Sequence, residues 1–242
     1  VSASEDTVIK LFYYERLPDN IDYVGDIGSA AGQNVWDSNF VGVWHMTDFD
    51  AATVKDSTAN ANHATPAGAM FSDDLIDGQV GKALDFDGSD DELNIAPIHV
   101  SGDFTLCWLQ NVAFWKTQWT MLYGKDGATT DFIGYYQPAK WFQIRKNNSD
   151  CRWTHDMNGD AGSWKQFHVR RQGDSWDWAL DTNILSALTN SNTLAIDTIA
   201  YGFNIGSYHF DGQMDEIRIS NVKRSDAYIK ATYHSLFDTL VA

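Results

Sequence analysis

The side chains in this chain that could do chemistry are carboxylates, aromatics and a few histidines. Their spacing decides what each group is good for. Glycoside hydrolysis needs two carboxylates flanking the scissile bond, and along a strand alternate positions face the same way. The richest acidic runs, Asp90-Asp91-Glu92-Leu93-Asn94 and Asp215-Glu216-Ile217-Arg218, lack three acids at alternate positions. Proton abstraction beside an acidic sugar would call on His155, His168, Arg145 and Tyr135, but no spacing unites those four. G-x-S-x-G, P-loop and H-E-x-x-H strings are absent, so serine-hydrolase, nucleotide-hydrolase and zincin chemistry is not expected. The two cysteines, Cys107 and Cys151, form no C-x-x-C and flank no histidine at zinc-finger spacing. They are open to one disulfide or to two buried thiols, since pairing needs Cα atoms within about 7 Å. The expectation is a protein without catalysis.

Binding chemistry is better supplied. Aromatic residues make up 14% of the chain, with ten Trp, ten Tyr and thirteen Phe. Sugar recognition needs exposed aromatic faces beside hydrogen-bonding side chains. The segment holding Trp115, Trp119, Tyr135, Tyr136, Trp141 and Trp153 offers the faces, and Gln137, Arg145, Asn147 and Asn148 offer the polar neighbours. Trp115, Trp119, Tyr135, Trp141, Arg145 and Trp153 are the ligand-binding candidates. Trp44, Trp108 and Trp164 are assigned to the core, while Trp176 and Trp178, two apart on a strand, share a face that is either core or an exposed patch. His45 and His63 read as structural.

Seventeen Lys and Arg against 33 Asp and Glu leave a net charge of −16, which repels phosphate backbones and argues against a nucleic-acid partner. The same acidity suits cations, and calcium is the expected one, because hard cations take several oxygen ligands and Asp, Asn and Gly cluster in the loops. Asp87, Asp90 and Asp91 are one such cluster, which a solvated hairpin tip would equally explain. No run of 18 apolar residues exists, so no membrane-spanning helix is expected. The first residue is Val, and the chain is expected to be a processed or excised piece.

The elements that must position these groups read as strands. Residues 7–14 (TVIKLFYY) are β-branched and aromatic and stop at the turn cluster 17–20. Gly, Asp, Asn and Ser then fill a connector up to residue 39, and the strand pattern resumes at 40–46. Short apolar segments follow at 83–86, 92–95, 104–109, 120–123, 132–136, 141–145, 151–154, 165–170, 175–180, 199–205 and 213–219, separated by turn residues. That spacing predicts a sandwich or barrel. A bulge is expected at Asp215-Glu216, where the alternation of Met214, Ile217 and Ile219 breaks. Residues 225–237 alone carry apolar residues at helical spacing after a Ser/Asp start, which predicts one short C-terminal helix with Ala227, Ile229, Tyr233 and Leu236 inward.

Four stretches together carry a family pattern: Val41-Gly42-Val43-Trp44-His45-Met46 followed by the loop 55–65 (KDSTANANHAT); 81–91 (GKALDFDGSDD); Asp103-Phe104-Thr105-Leu106-Cys107-Trp108; and Ile205-Gly206 with 210–220 (FDGQMDEIRIS). The set resembles the laminin-G-like, concanavalin-like jelly rolls of bacterial and phage surface proteins, over residues 40–237. The resemblance implies an all-β, antiparallel two-sheet jelly-roll sandwich. Residues 7–39 are similar to the tail of a small β-domain that often precedes it, which implies residues 1–39 as an N-terminal extension and linker and 40–242 as the jelly roll. Concanavalin-like glucanases carry E-x-D-x-E on one strand, a triplet absent here. Members of the fold often bind calcium near the loop matching 56–62 and near the acidic end strand, which implies Asp56, Asn60 and Asp215 as ligands.

The function expected is a non-catalytic extracellular or cell-surface recognition module, stabilised by calcium, whose partner is a glycan or a surface protein. The alternative is a structural or assembly component, such as a virion decoration, filament or surface-layer protein. A polysaccharide-degrading enzyme ranks third.

Overall fold

The computed structural model describes residues 25–113, 115–124, 131–146, 149–191, 193–201 and 208–238. The strand expected at 7–14, the turn at 17–20, Asn147, Asn148 and Ile205-Gly206 lie outside them. Sixteen strands, two helices and three short 3-10 turns follow in chain order among the described residues. A one-turn helix α1 (Ala30–Gln33) precedes β1 (Phe40–Trp44), β2 (Thr65–Ala67), β3 (Leu75–Asp77), β4 (Lys82–Asp87), β5 (Glu92–Val100) and β6 (Phe104–Asn111). After these come β7 (Trp119–Gly124), β8 (Phe132–Tyr136), β9 (Trp141–Lys146), β10 (Ser149–Thr154), β11 (Lys165–Gln172) and β12 (Ser175–Leu180). The series closes with β13 (Asn183–Ile184), β14 (Leu188–Thr189), β15 (Leu194–Ile199), β16 (Asp211–Ser220) and the C-terminal helix α2 (Asp226–Leu236).

The strands form two antiparallel sheets. One runs β13-β12-β11-β6-β16-β4-β3, with β1 also on β16 and β14 also on β12; the other runs β10-β9-β8-β7-β15-β5-β2. Strand β16 holds the first sheet together by changing neighbours midway. Its first half pairs with β4 (Asp211↔Asp87 to Met214↔Leu84), its second with β1 (Ile217↔Trp44 to Ser220↔Phe40). The change falls at a bulge, where the register on β6 shifts between Asp215 and Arg218 and Glu216 takes φ +50°. This is the kink that the broken alternation predicts.

The core lies between the sheets and is dominated by rings. Phe142 of β9 stacks on Trp178 of β12 with centroids 4.6 Å apart, and Trp108 of β6 meets Tyr123 of β7 edge-on at 4.9 Å. Such contacts add about 0.5–1.5 kcal/mol each beyond the area they bury. Trp44 and Trp108 are fully buried as expected, and Trp176 and Trp178 resolve to core. Trp164 is only half-buried. Cys107 and Cys151 are two buried free thiols, one in each sheet.

Three expectations need correcting. Of the strand placed at 199–205, residues 202–205 lie outside the described residues; a strand runs from Leu194 to Ile199, and Ala200, at φ +70°, turns the chain out of it. The strands β2, β3, β13 and β14 are two or three residues long, too short to show an alternation. In α2, Ser225 caps the first turn by accepting from the Tyr228 N–H at 3.1 Å, and Ile229 and Thr232 are buried, while Ala227 is exposed. The helix lies on the first sheet's outer face, where polar contacts share the work. There the buried Arg170 of β11 reaches Asp177 (2.6 Å), Asp226 (2.8 Å) and the Arg224 carbonyl (2.9 Å).

Candidate ligand-binding face

The meander β7-β8-β9-β10 sets its side chains in register. Trp119 stands opposite Tyr136, Tyr136 opposite Trp141, and Trp141 opposite Thr154. Residues directly opposite in an antiparallel pair project from the same face, so these four make one row. The rings touch: Trp119 and Tyr136 have centroids 4.6 Å apart at a tilt of 31°, and Tyr136 and Trp141 5.9 Å apart at 43°. All three are half-buried. The next row along the strands is Gly134, Gln143 and Arg152, and the one after is Phe132, Arg145 and Asp150.

The polar groups are held by one another. Asp150 accepts from Arg152 Nη2 at 2.6 Å and from Gln143 Nε2 at 2.8 Å. Fixed so, the Arg152 guanidinium lies 4.5 Å above the Trp141 ring, a cation–π contact. The face therefore joins a strip of aromatic surface to an oriented guanidinium–carboxylate pair.

The opposite parity of the same strands faces the core: Thr120, Tyr135, Phe142 and Trp153 stand opposite one another and are buried. The structure therefore divides the six ligand-binding candidates. Trp119, Trp141 and Arg145 lie on the outer face. Trp115 and Trp153 are each 6% exposed, with their indole N–H groups given to the Met157 carbonyl (2.9 Å) and the Ser186 carbonyl (2.7 Å). Tyr135 is fully buried, its hydroxyl between the His155 carbonyl and the Met157 N–H at 3.3 Å each. These three have no free ring face to offer a ligand. Tyr136, Asp150 and Arg152 complete the face, with the fully buried Gln143 holding Asp150 from beneath. The type of Tyr136 was visible in the sequence, but its choice over Tyr135 depends on register.

The residues suited to proton abstraction do not converge. His168 is fully buried in β11 beside Cys107 (3.6 Å), and burial pushes its imidazole down to about 3. Tyr135 is in the core, Arg145 on the outer face, and His155 contacts Asp160 at 2.9 Å.

The carboxylates nominated for calcium behave differently from one another. Asp56 is fully buried, and each of its oxygens takes two donors. Oδ1 accepts from the N–H groups of Val43 and Thr58 at 2.9 Å, and Oδ2 from Thr58 Oγ1 at 2.8 Å and the Asn62 N–H at 2.9 Å. Its lone pairs are spent on pinning the 56–62 loop to β1, which does not fit a calcium ligand. Asn60 turns its Nδ2 to the carbonyls of Phe40 (2.9 Å) and Val41 (3.2 Å) in the same service. Asp215, fully buried at the bulge, accepts from the Val80 N–H at 2.9 Å through Oδ2, while Oδ1 meets no protein donor; burial pushes its carboxyl up to about 7. Burial also raises the neighbouring Glu216, but hydrogen bonding to His45 and the charge of Arg218 outweigh it and hold that carboxyl below its usual value.

The arrangement that brings three carboxylates together is the β4–β5 turn, where ligand oxygens of Asp87, Asp90 and Asp91 lie within 4.8 Å of one another. Gly88 makes that turn at φ +73°, where a Cβ would also strike the Asp211 side chain at 2.7 Å. Lys116 donates to the Gly88 carbonyl at 2.5 Å.

Solved structures share this architecture. Domain 4 of AbnA, a GH43 extracellular arabinanase from Geobacillus stearothermophilus, solved with arabinotriose, superposes with a TM-score of 0.64 at 13% identity, covering 80% of this chain and 97% of that domain. The likeness supports the two-sheet antiparallel sandwich described above. The binding domain of Paraclostridial Mosquitocidal Protein 1 gives a TM-score of 0.62 at 10% identity over 83% of this chain and 53% of its own, and Trypanosoma rangeli sialidase with sialic acid gives 0.60 at 12% over 83% and 33%. The chain thus spans nearly all of the arabinanase domain, about half of the toxin binding domain and a third of the sialidase. At these identities the likeness is one of fold. No protein-family model matches the sequence, and no curated protein matches it.

Proposed function

We propose that this chain is a non-catalytic carbohydrate-recognition domain that takes a glycan against the outer face of β7–β10. The observation carrying this reading is the Trp119–Tyr136–Trp141 row with Arg152 fixed beside it. Half-exposed rings in contact across three strands give a continuous surface for sugar C–H faces, and Arg152 and Asp150 supply directional hydrogen bonds at its edge. The fold neighbours lend support, since one was solved with arabinotriose, and another is from botulinum neurotoxin type C, whose cell entry is dependent upon interaction with two ganglioside molecules. A recognition domain of this kind suits an extracellular or cell-surface setting, and the laminin-G-like branch is the subclass we assign.

Calcium stays in the proposal as a stabilising ion, with its ligands moved from Asp56 and Asn60 to the Asp87–Asp90–Asp91 turn. A filament or virion component remains the second reading. Phe71 and Val35, 64% and 54% exposed, are the large hydrophobics standing out among the described residues, and they would be its contact points.

Affinity electrophoresis against soluble arabinan, xylan, β-glucan and a sialylated glycan tests the reading. Retardation by at least one polymer is expected, and its loss in Trp119→Ala. If no polymer retards the protein while it self-associates with rising concentration, the assembly reading takes its place.

A further inference from the structure

A cavity lies apart from that face, where residues 25–39 lean on the first sheet. Two contacts fix that segment. Arg224 grips both oxygens of Asp37 at 2.9 and 3.0 Å, and Trp36 packs edge-on against Phe40 at 5.0 Å, with the Arg218 guanidinium 5.5 Å from its ring. Between segment and sandwich is a cleft of about 290 Å³, lined among others by Ile27, Val35, Trp36, His45 and Ser57.

Two polar groups line it beside the indole. Ser57 is only 3% exposed; its N–H bonds the Val43 carbonyl at 2.8 Å, but its hydroxyl has no protein partner. A buried hydroxyl left unpaired keeps its desolvation cost uncompensated, so this one gains from a ligand that pairs it. His45 places Nδ1 2.6 Å from Glu216 Oε1. The ionised Glu216 can only accept, so a hydrogen sits on His45 Nδ1 and Nε2, on the far edge of the ring, is left to bond elsewhere. The cleft thus presents an aromatic wall, a hydroxyl and an imidazole edge.

From these three features we infer that the cleft is a binding site for a single neutral, hydroxyl-bearing ring, of the size of a monosaccharide. Its volume sits at the lower edge of the roughly 300–1,000 Å³ of small-molecule sites, which suits one ring and not a chain. The guanidinium nearest the indole wall, Arg218, is already bound to Glu216 at 2.5 Å and is not offered to an anion. The inference is independent of the outer face, because none of its residues lies on β7–β10.

Saturation-transfer NMR with glucose, galactose, mannose and arabinose, and with glucuronate as the anionic probe, decides it. Transfer to at least one neutral sugar and none to glucuronate is expected. In a Trp141→Ala background, which takes away the outer-face row, the transfer should persist, Ser57→Ala should weaken that binding about tenfold, and Val35→Trp at the exposed lip should block it. Absence of transfer to every neutral sugar, equal transfer to glucuronate, or a signal lost in Trp141→Ala but kept in both cleft variants would overturn the inference.

Discussion

The two faces of β7–β10 are built from the same residue types and do opposite work. On one, Tyr135, Phe142 and Trp153 are buried, with their polar atoms given to backbone carbonyls and N–H groups. On the other, Trp119, Tyr136 and Trp141 stay half-exposed, and their polar neighbours bond one another. The difference teaches that an aromatic count cannot separate core from site in a sandwich. What separates them is strand register, because a shift of one residue exchanges the two sets.

Substitutions should keep the two faces apart. The largest effect is expected from Phe142→Ala on the core side, which leaves a cavity against Trp178 and should cost about 3–5 kcal/mol in denaturant unfolding. A folded variant of near wild-type stability would break the comparison. Next comes Asp215, which tests core electrostatics with no part in the face. Its folded carboxyl titrates near 7 and its unfolded one near 3.8, so the native state holds the extra proton in between. Stability is then full below the unfolded value and declines as pH rises towards 7, by a few kcal/mol in all. Asp215→Asn should flatten that decline and unfold at higher denaturant than wild type at pH 8, while glycan affinity stays put. His168, held down to about 3, acts with the opposite sense, costing stability as pH falls below its unfolded value near 6.5.

On the outer side, Trp141→Ala should cost about 2 kcal/mol of glycan binding, the scale of an interfacial aromatic anchor, and little stability. Calorimetric titration measures it, and a variant that binds as wild type would take the row out of the site. Arg152→Ala should be the smallest change, about 1 kcal/mol or less in binding, from loss of the guanidinium over Trp141.

Much of the architecture was legible from alternation and turn chemistry. The runs at 132–136 and 175–180 coincide with β8 and β12, and the Ser225 start marks the cap of α2. Two-residue strands such as β13 left no period to read. The site was half legible. Trp119, Trp141 and Arg145 belong to the outer face, but choosing Tyr136 over its neighbour Tyr135 required knowing which residue stands opposite Trp119. The Asp56 hub was misread for a related reason: a loop rich in Asp and Asn looks the same whether its carboxylate faces a cation or four hydrogen-bond donors.

The adjacent tyrosines give the most direct test. Tyr135→Ala and Tyr136→Ala should be compared for unfolding midpoint and for affinity towards whichever glycan retards the wild type. The account predicts that Tyr136→Ala stays as stable as wild type and loses binding, whereas Tyr135→Ala loses stability and its folded fraction binds normally. Full binding by Tyr136→Ala, or a stable Tyr135→Ala that no longer binds, would contradict it.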